Sequence, residues 1–346
     1  MRSRFCSMRG FAVAGAMALA ALAVLTAVAA VPAGGRRLPW PIPQPDHVAL
    51  GDLFGTGQPV VVAAFETWNA TEQRSMNGIY YALQLDAGAL RIRWKSPTED
   101  ERALDRDGNN LTVARFPADA RPALLAARGR AVRRWVWDGT GFAEQPALAL
   151  PEKDGPPQRI TALAAADLDG DGNPEVVTAV SFEQAAPHAI VAGFQWDGAR
   201  WDERWETRPL PGRVREMARV AGPGARGDEL VFVLDGPTDR LWRLAPARGR
   251  EPYAVPIPAV YTVSGLAAID RPGRPPLVAL AGQRASRPVI ALLALGAKAA
   301  TLEREVVLEP GPIGRLLAGD LDGDGRAELL ATRGGDLVVI PLPGSG

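Results

Sequence analysis

A nine-residue segment rich in aspartate and glycine occurs twice in the chain, and an apolar run follows each copy. The first copy is Asp167–Glu175 (DLDGDGNPE) and the second is Asp320–Glu328 (DLDGDGRAE). Acidic residues and glycines occupy the same positions in both copies. The runs that begin at their last residues, EVVTAV and ELLAT, have the length and residue types of buried strands. Two like loops set between strands predict a repeat architecture, which constrains the fold of the whole chain.

The acidic residues of this segment have the spacing of a calcium loop. Aspartates occupy positions 1, 3 and 5, glycine at position 6 allows a sharp turn, and the carbonyl at position 7 can add an oxygen. Position 12, where an EF-hand has its bidentate glutamate, is Thr178 or Ala331, so the acid at position 9 must complete the shell. The sequence therefore predicts two Ca²⁺ sites. The ligands are Asp167, Asp169, Asp171, Asn173 and Glu175 in one, and Asp320, Asp322, Asp324, Arg326 and Glu328 in the other.

The order of strand, loop, strand and hairpin recurs along the chain with a spacing close to 50 residues. The anchor residues of the six units are Asp52, Asp119, Asp167, Ala221, Asp270 and Asp320. A period of this length with four strands per unit predicts an all-β propeller of six four-stranded blades. The last unit is one strand short, and the segment around 37–43 can supply that strand and close the ring. A seventh blade in the long interval after the first anchor is the alternative.

A third, altered copy of the loop lies in the first unit. The segment Asp52–Val60 keeps Asp52 and Gly57, whereas Phe54, Thr56 and Val60 stand where the other copies have carboxylates. The sequence predicts the same loop shape without a metal.

The intact loops and the strands after them resemble the FG-GAP/VCBS repeat of integrin-α-type β-propellers. Blades of that family carry Asp-x-Asp/Asn-Gly-Asp-Gly-x-x-Asp before an apolar strand, and here glutamate replaces the last aspartate. The resemblance implies a single calcium-binding propeller domain over residues 37–346. It also implies an unidentified partner, either a protein or a surface glycan.

The first 31 residues have the features of an export segment. Arg2, Arg4 and Arg9 precede an apolar run over residues 11–31, which fits either a cleaved signal peptide or a membrane anchor. Both alternatives place the remainder outside the cytoplasm: in the periplasm, secreted, or on the outer face of the membrane. The only cysteine, Cys6, lies in this segment, so the propeller has neither a disulfide nor a thiolate metal site.

Charge and motif content narrow the classes of function. Without the three N-terminal arginines, 36 basic residues face 39 acidic ones, which gives no electrostatic argument for nucleic-acid binding. The chain also lacks a histidine cluster, a cysteine nucleophile and a phosphate loop. We therefore expect a non-enzymatic binding or assembly module. A lyase or hydrolase acting on polysaccharides through Glu99, Asp105 or Glu183 is one alternative, and a structural subunit of an envelope complex is another.

The candidate ligand-binding residues lie on one face of the predicted propeller. Propeller geometry places the turns between second and third strands on the face opposite the metal loops, and long insertions occur there, at residues 66–78 and 98–110. We call this face the insertion face and the opposite one the metal face. The candidate ligand-binding residues of the insertion face are Trp68, Arg74, His188 and Arg284.

Overall fold

The computed structural model describes ten ranges, which together contain all six predicted units. They are residues 29–30, 35–69, 74–96, 110–150, 158–182, 187–222, 227–235, 240–245, 251–259 and 261–342. Every regular element within these ranges is a strand. Accordingly, the described part of the chain has no helix that is long and apolar enough to cross a membrane.

The strands group into six blades, each built from four antiparallel strands. In blades 1 to 5 these four strands follow chain order from the axis outwards, and in blade 6 the outer strand comes from near the N-terminus. Blade 1 is β3 (His47–Gly51), β4 (Val60–Asn69), β5 (Arg74–Asp86) and β6 (Ala89–Lys95). Blade 2 is β7 (Leu111–Ala114), β8 (Ala123–Arg128), β9 (Ala131–Trp137) and β10 (Phe142–Ala149). Blade 3 is β11 (Gln158–Ala166), β12 (Glu175–Phe182), β13 (His188–Trp196) and β14 (Trp201–Glu206), with β15 (Leu210–Pro211) also paired to β13.

The remaining three blades have the same plan. Blade 4 is β16 (Arg213–Val220), β17 (Glu229–Asp235), β18 (Arg240–Leu244) and β19 (Tyr253–Val255). Blade 5 is β20 (Thr262–Ile269), β21 (Leu277–Arg284), β22 (Arg287–Leu295) and β23 (Ala300–Val307), and β1 (Ala29–Ala30) pairs in parallel with its outer strand. Blade 6 is β24 (Leu316–Gly319), β25 (Glu328–Arg333), β26 (Asp336–Pro341) and β2 (Arg36–Pro39).

The ring closes as the sequence predicts. Strand β2 pairs antiparallel with β26 and supplies the fourth strand of blade 6, with Arg36 opposite Val339. Inner strands of neighbouring blades contact each other around the whole ring, including β24 against β3. The six-bladed β-propeller is therefore confirmed.

Apolar side chains fill the spaces between blades. The second strand of blade 3 is buried along its whole length, which explains its nearly continuous run of apolar residues. Clusters of such residues join neighbouring sheets, for example Leu38 and Leu337 of blade 6 with Val61 and Leu83 of blade 1. This packing fixes where each loop between first and second strands emerges on the metal face.

Candidate metal loops and an axial pocket

Each intact loop is folded around the aspartate at its first position. In blade 3, Asp167 accepts hydrogen bonds from the backbone N–H groups of Gly170 (2.8 Å) and Gly172 (3.0 Å). The aspartate of blade 6, Asp320, accepts the equivalent bonds at 2.7 and 2.8 Å. Gly170 and Gly172 of the blade 3 loop have left-handed φ angles of 75° and 85°. Glycine adopts this conformation at little cost because it has no Cβ.

Three carboxylates of each loop converge. Ligand oxygens of Asp167, Asp169 and Glu175 lie within 4.8 Å of one another, and the corresponding group in blade 6 is Asp320, Asp322 and Glu328. The glutamate is held from one side, because the backbone N–H of the buried Leu168 donates to Glu175 Oε2 at 2.7 Å. In blade 6, Leu321 donates to Glu328 Oε2 at 2.8 Å.

Burial and crowding of charge shift the titration of the two glutamates. Burial, followed by repulsion from Asp169 and Asp167, raises the pKa of Glu175 to about 7. Burial, together with the carboxylates of the blade 6 loop, also raises the pKa of Glu328. Each cluster therefore holds excess negative charge that a cation would compensate.

The donor chemistry fits a hard cation. All converging atoms are carboxylate oxygens, the ligands that calcium and magnesium prefer. Glu175 Oε1 is buried and has no hydrogen-bond partner among the described residues, although a buried oxygen of this kind normally has one. Both acidic clusters could therefore hold metal ions.

The aspartate at position 5 of each loop, Asp171 or Asp324, lies outside the converging group. Asp171 accepts hydrogen bonds from the Asn173 N–H and from Gln195 Nε2, both at 2.7 Å. Asp324 accepts one from the Arg326 N–H at 2.8 Å. The structure thus brings together three of the four predicted carboxylates in each loop. Metal coordination by the five predicted ligands of each loop remains a prediction.

The altered loop of blade 1 has the same backbone shape as the intact loops. Asp52 accepts hydrogen bonds from the N–H groups of Thr56 (2.9 Å) and Gly57 (2.7 Å). Phe54, in place of the second aspartate, packs edge-on against Trp137 with ring centroids 4.8 Å apart. Aromatic packing has replaced the acidic cluster here.

The four candidate ligand-binding residues lie on three different blades. The backbones of Trp68 and Arg74 lie near the adjacent ends of β4 and β5, and their side chains are outside the part that the structure describes. His188 stacks on Phe182 with ring centroids 4.6 Å apart. Arg284 pairs with Glu305 at 2.8 Å. Binding by these four residues remains a prediction, and the acids Glu99, Asp105 and Glu183 lie outside the described residues.

A polar pocket, which was not among the predictions from the sequence, lies on the axis where the inner strands begin. Its volume is about 410 Å³, and residues from blades 1, 3, 4, 5 and 6 line it. Among them are Glu216 of blade 4 and Arg315 of blade 6, which form a buried ion pair across the axis. A second cavity of about 450 Å³ lies toward the metal face and is lined mainly by apolar residues of all six inner strands.

Comparisons with known proteins support no family assignment. No family model matches the chain, and no curated protein matches it. The solved structure of the exotype rhamnogalacturonan lyase YesX is similar, with a TM-score of 0.47 and 11% sequence identity. The similarity covers 89% of this chain and 76% of that one. At this level of likeness, no conclusion about chemistry passes from one chain to the other.

Proposed function

We propose that the protein is an exported, calcium-stabilised β-propeller that acts as a non-enzymatic binding module. The observation that carries this proposal is the convergence of three carboxylates in each of two loops with the same sequence spacing. The resemblance to FG-GAP/VCBS repeats supports calcium as the ion. In blade 3, the loop provides an oxygen, Glu175 Oε1, that a cation would satisfy.

The role assigned to calcium is structural. Blades 3 and 6 lie opposite each other in a six-bladed ring, so the two ions would stabilise loops at both ends of one diameter. The loops are short, and the first aspartate of each accepts hydrogen bonds from backbone N–H groups of the same loop. Calcium bound there would neutralise the acidic cluster and hold the loop onto its blade.

We assign partner binding to the insertion face. The sequence predicts long insertions on this face, and the axial pocket lies there. Functional residues of rigid scaffolds are commonly placed on such loops. The partner class is a protein or a surface glycan. The N-terminal apolar segment supports the proposal of export, and Ala29–Ala30 are its only described residues. Sequencing the N-terminus of the mature protein would test whether the segment is cleaved.

Calcium titration of the full chain tests the proposal. Isothermal titration calorimetry should give two calcium sites, and thermal unfolding should show a higher midpoint in calcium than in EDTA. Magnesium should bind more weakly, since its small octahedral shell suits these flexible carboxylate loops less well. An unfolding midpoint that is the same in calcium and EDTA would overturn the structural role of the metal.

The binding role has its own test. Pull-down of surface proteins and a glycan array, each with the wild-type chain and a variant lacking residues 66–78, would show which partner class binds the insertion face. Turnover of a polysaccharide by the wild-type chain would contradict the non-enzymatic assignment.

A further inference from the structure

The axial pocket is built from equivalent positions of different blades. Backbone pairing aligns Ala162 of blade 3, Glu216 of blade 4 and Gly265 of blade 5, which lie opposite Ala179, Val233 and Ala281 of their second strands. The hydrogen bond from the Thr332 N–H to the Arg315 carbonyl places Arg315 at the same position in blade 6. Alanine and glycine in two blades show that the fold does not require a charge there.

The strand irregularities next to these positions also contribute to the pocket. A register shift occurs in β11, β16 and β20 at the same place, and the extra residues are Thr161, Arg215 and Ser264. All three line the pocket. Bulges commonly re-aim side chains next to functional sites, and here three of them occur around one opening.

The Glu216–Arg315 pair crosses from blade 4 to blade 6 and passes over blade 5. Gly265 makes this approach possible, because a Cβ there would lie 2.7 Å from the Gly314 carbonyl oxygen. Arg315 is further held by its Nε donating to the Asp46 carbonyl at 3.1 Å. Burying such a pair is costly in solvation and is poor evidence for stability, so a different role explains it better.

The charges that line the pocket balance. Three arginines (213, 215 and 315) accompany three acids (Asp46, Glu216 and Asp235), and two of the pairs are direct: Glu216 with Arg315, and Arg215 with Asp235 at 2.8 Å. At these two pairs, an anionic ligand would have to displace a carboxylate from its guanidinium, and a cationic ligand would have to displace a guanidinium. A neutral ligand with hydroxyl groups needs neither, since each hydroxyl can donate to a paired carboxylate and accept from a paired guanidinium.

We propose that the axial pocket binds a neutral, hydroxyl-rich small molecule, such as a sugar residue, through Glu216, Arg315 and the Arg215–Asp235 pair. The volume of about 410 Å³ is within the range of small-molecule sites. The inference rests on the proposed binding role of the insertion face and specifies its ligand class.

Saturation-transfer difference NMR on the calcium-loaded full chain tests the ligand class. The probes are glucose, galactose, mannose and N-acetylglucosamine. Glucuronic acid, glucosamine and glycylglycine serve as anionic, cationic and zwitterionic comparators. We expect signals from one or more neutral sugars and weaker or absent signals from all three comparators.

Variants locate the binding. The double variant Glu216→Gln with Arg315→Met removes both charges together, so no unpaired buried charge remains, and it should weaken sugar binding by roughly tenfold or more. Arg215→Met should weaken binding to a lesser extent, because the Arg215 side chain is more exposed than the Glu216–Arg315 pair. The matched control removes an ion pair outside the pocket, with Arg271→Met and Glu303→Gln, and should bind as the wild type does.

The outcomes separate this inference from the proposed function. Binding of a neutral sugar that the pocket variants leave unchanged would overturn the pocket assignment. Preferential binding of glucuronic acid, glucosamine or glycylglycine would overturn the ligand class. If calcium still raises the unfolding midpoint but none of the probes binds, the inference fails and the calcium-stabilised propeller stands.

Discussion

The metal loops of blades 3 and 6 have nearly the same sequence and very different surroundings. In blade 3, Gln195 Nε2 donates to Asp171, and Asn173 Nδ2 donates to the Trp196 carbonyl at 3.0 Å. In blade 6, the position equivalent to Gln195 is Pro341, which lies opposite Glu328. Proline has no side-chain donor. A loop motif therefore fixes the backbone shape, while the neighbouring strand decides how firmly the loop is held.

The next blade adds to this difference. The backbone N–H of Asp228, in blade 4, donates to the Asp167 carbonyl at 2.5 Å, and Asp228 Oδ2 accepts from the Asp167 N–H at 2.9 Å. A Cβ on Gly227 would lie 2.7 Å from the Leu168 carbonyl oxygen, so this glycine permits the close contact. We expect the blade 3 loop to be better preorganised and to bind calcium more tightly than the blade 6 loop.

Removing the first aspartate of each loop should give the largest effects. At a free calcium concentration of about 100 times Kd, loss of one site removes about 2.7 kcal/mol of stability. Asp320→Ala should cost about 3 kcal/mol, and Asp167→Ala about 4 kcal/mol, because its loop is more tightly built into the blade. Urea unfolding in calcium measures both values. Equal losses in the two variants would remove the distinction between the loops.

The contribution of the Glu175 carboxylate to the free energy of unfolding should change sign between the metal-free and the calcium-bound protein. Its pKa is about 7 in the folded chain against 4.5 for the ordinary group. Because the folded value is raised, the metal-free protein should lose about 3 kcal/mol as the pH rises from about 4.5 to above 7. Glu175→Gln should remove this loss, so that in EDTA above pH 7 the variant is more stable than the wild type, and in calcium less stable.

The control for this experiment is Glu328→Gln. The pKa of Glu328 is also raised, so the sign of the effect should be the same. Its magnitude should be smaller, because this glutamate is 9% exposed whereas Glu175 is fully buried. A metal-free wild type that gains stability over the same pH interval, relative to Glu175→Gln, would show that this interpretation is wrong.

Breaking the contact between blades 3 and 4 should affect one calcium site only. Asp228→Ala removes the acceptor of the Asp167 N–H, and we expect calcium affinity in blade 3 to fall roughly tenfold, or by about 1.4 kcal/mol. The blade 6 site should be unchanged. Asp270→Ala is the matched control, since Asp270 also binds Arg219 but accepts its backbone bond from Ala221. Calorimetric titration of both variants tests this, and equal weakening of the two sites would count against it.

The smallest effect is expected in the altered loop of blade 1. Asp52→Ala removes the acceptor of two exposed backbone hydrogen bonds and should cost about 1 kcal/mol. The cost should be the same in calcium and in EDTA, as unfolding curves in both buffers would show. A cost that depends on calcium would mean that this loop binds metal despite Phe54 and Val60.

Much of the fold could be predicted from the sequence because its signals are local and repeated. The spacing of the six anchors from Asp52 to Asp320 sets the period, and the apolar runs after them mark the second strands. The strand around Leu38 could be assigned to blade 6 because the last unit was one strand short. The loop shapes followed from Gly170, Gly172 and their equivalents, whose left-handed conformations suit glycine.

The axial pocket could not be predicted in the same way. Glu216 and Arg315 come from blades 4 and 6, and only ring closure brings them together. A signal did exist, because aligning the inner strands on their anchors places both residues in the column that holds Ala162 and Gly265. The bulges at Arg215 and Ser264 depend on backbone register, which hydrophobic pattern alone does not determine.

The pairing of β2 with β26 has a consequence for how the protein reaches its final state. Strands β3 to β25 lie between these two strands in sequence, so blade 6 can form only after all of them have been made. Contacts of such large sequence separation are made slowly. A nascent chain therefore holds blades 1 to 5 and an open gap until β26 is released. Sealing that gap is the step at which an incomplete ring is most exposed to pairing with another molecule.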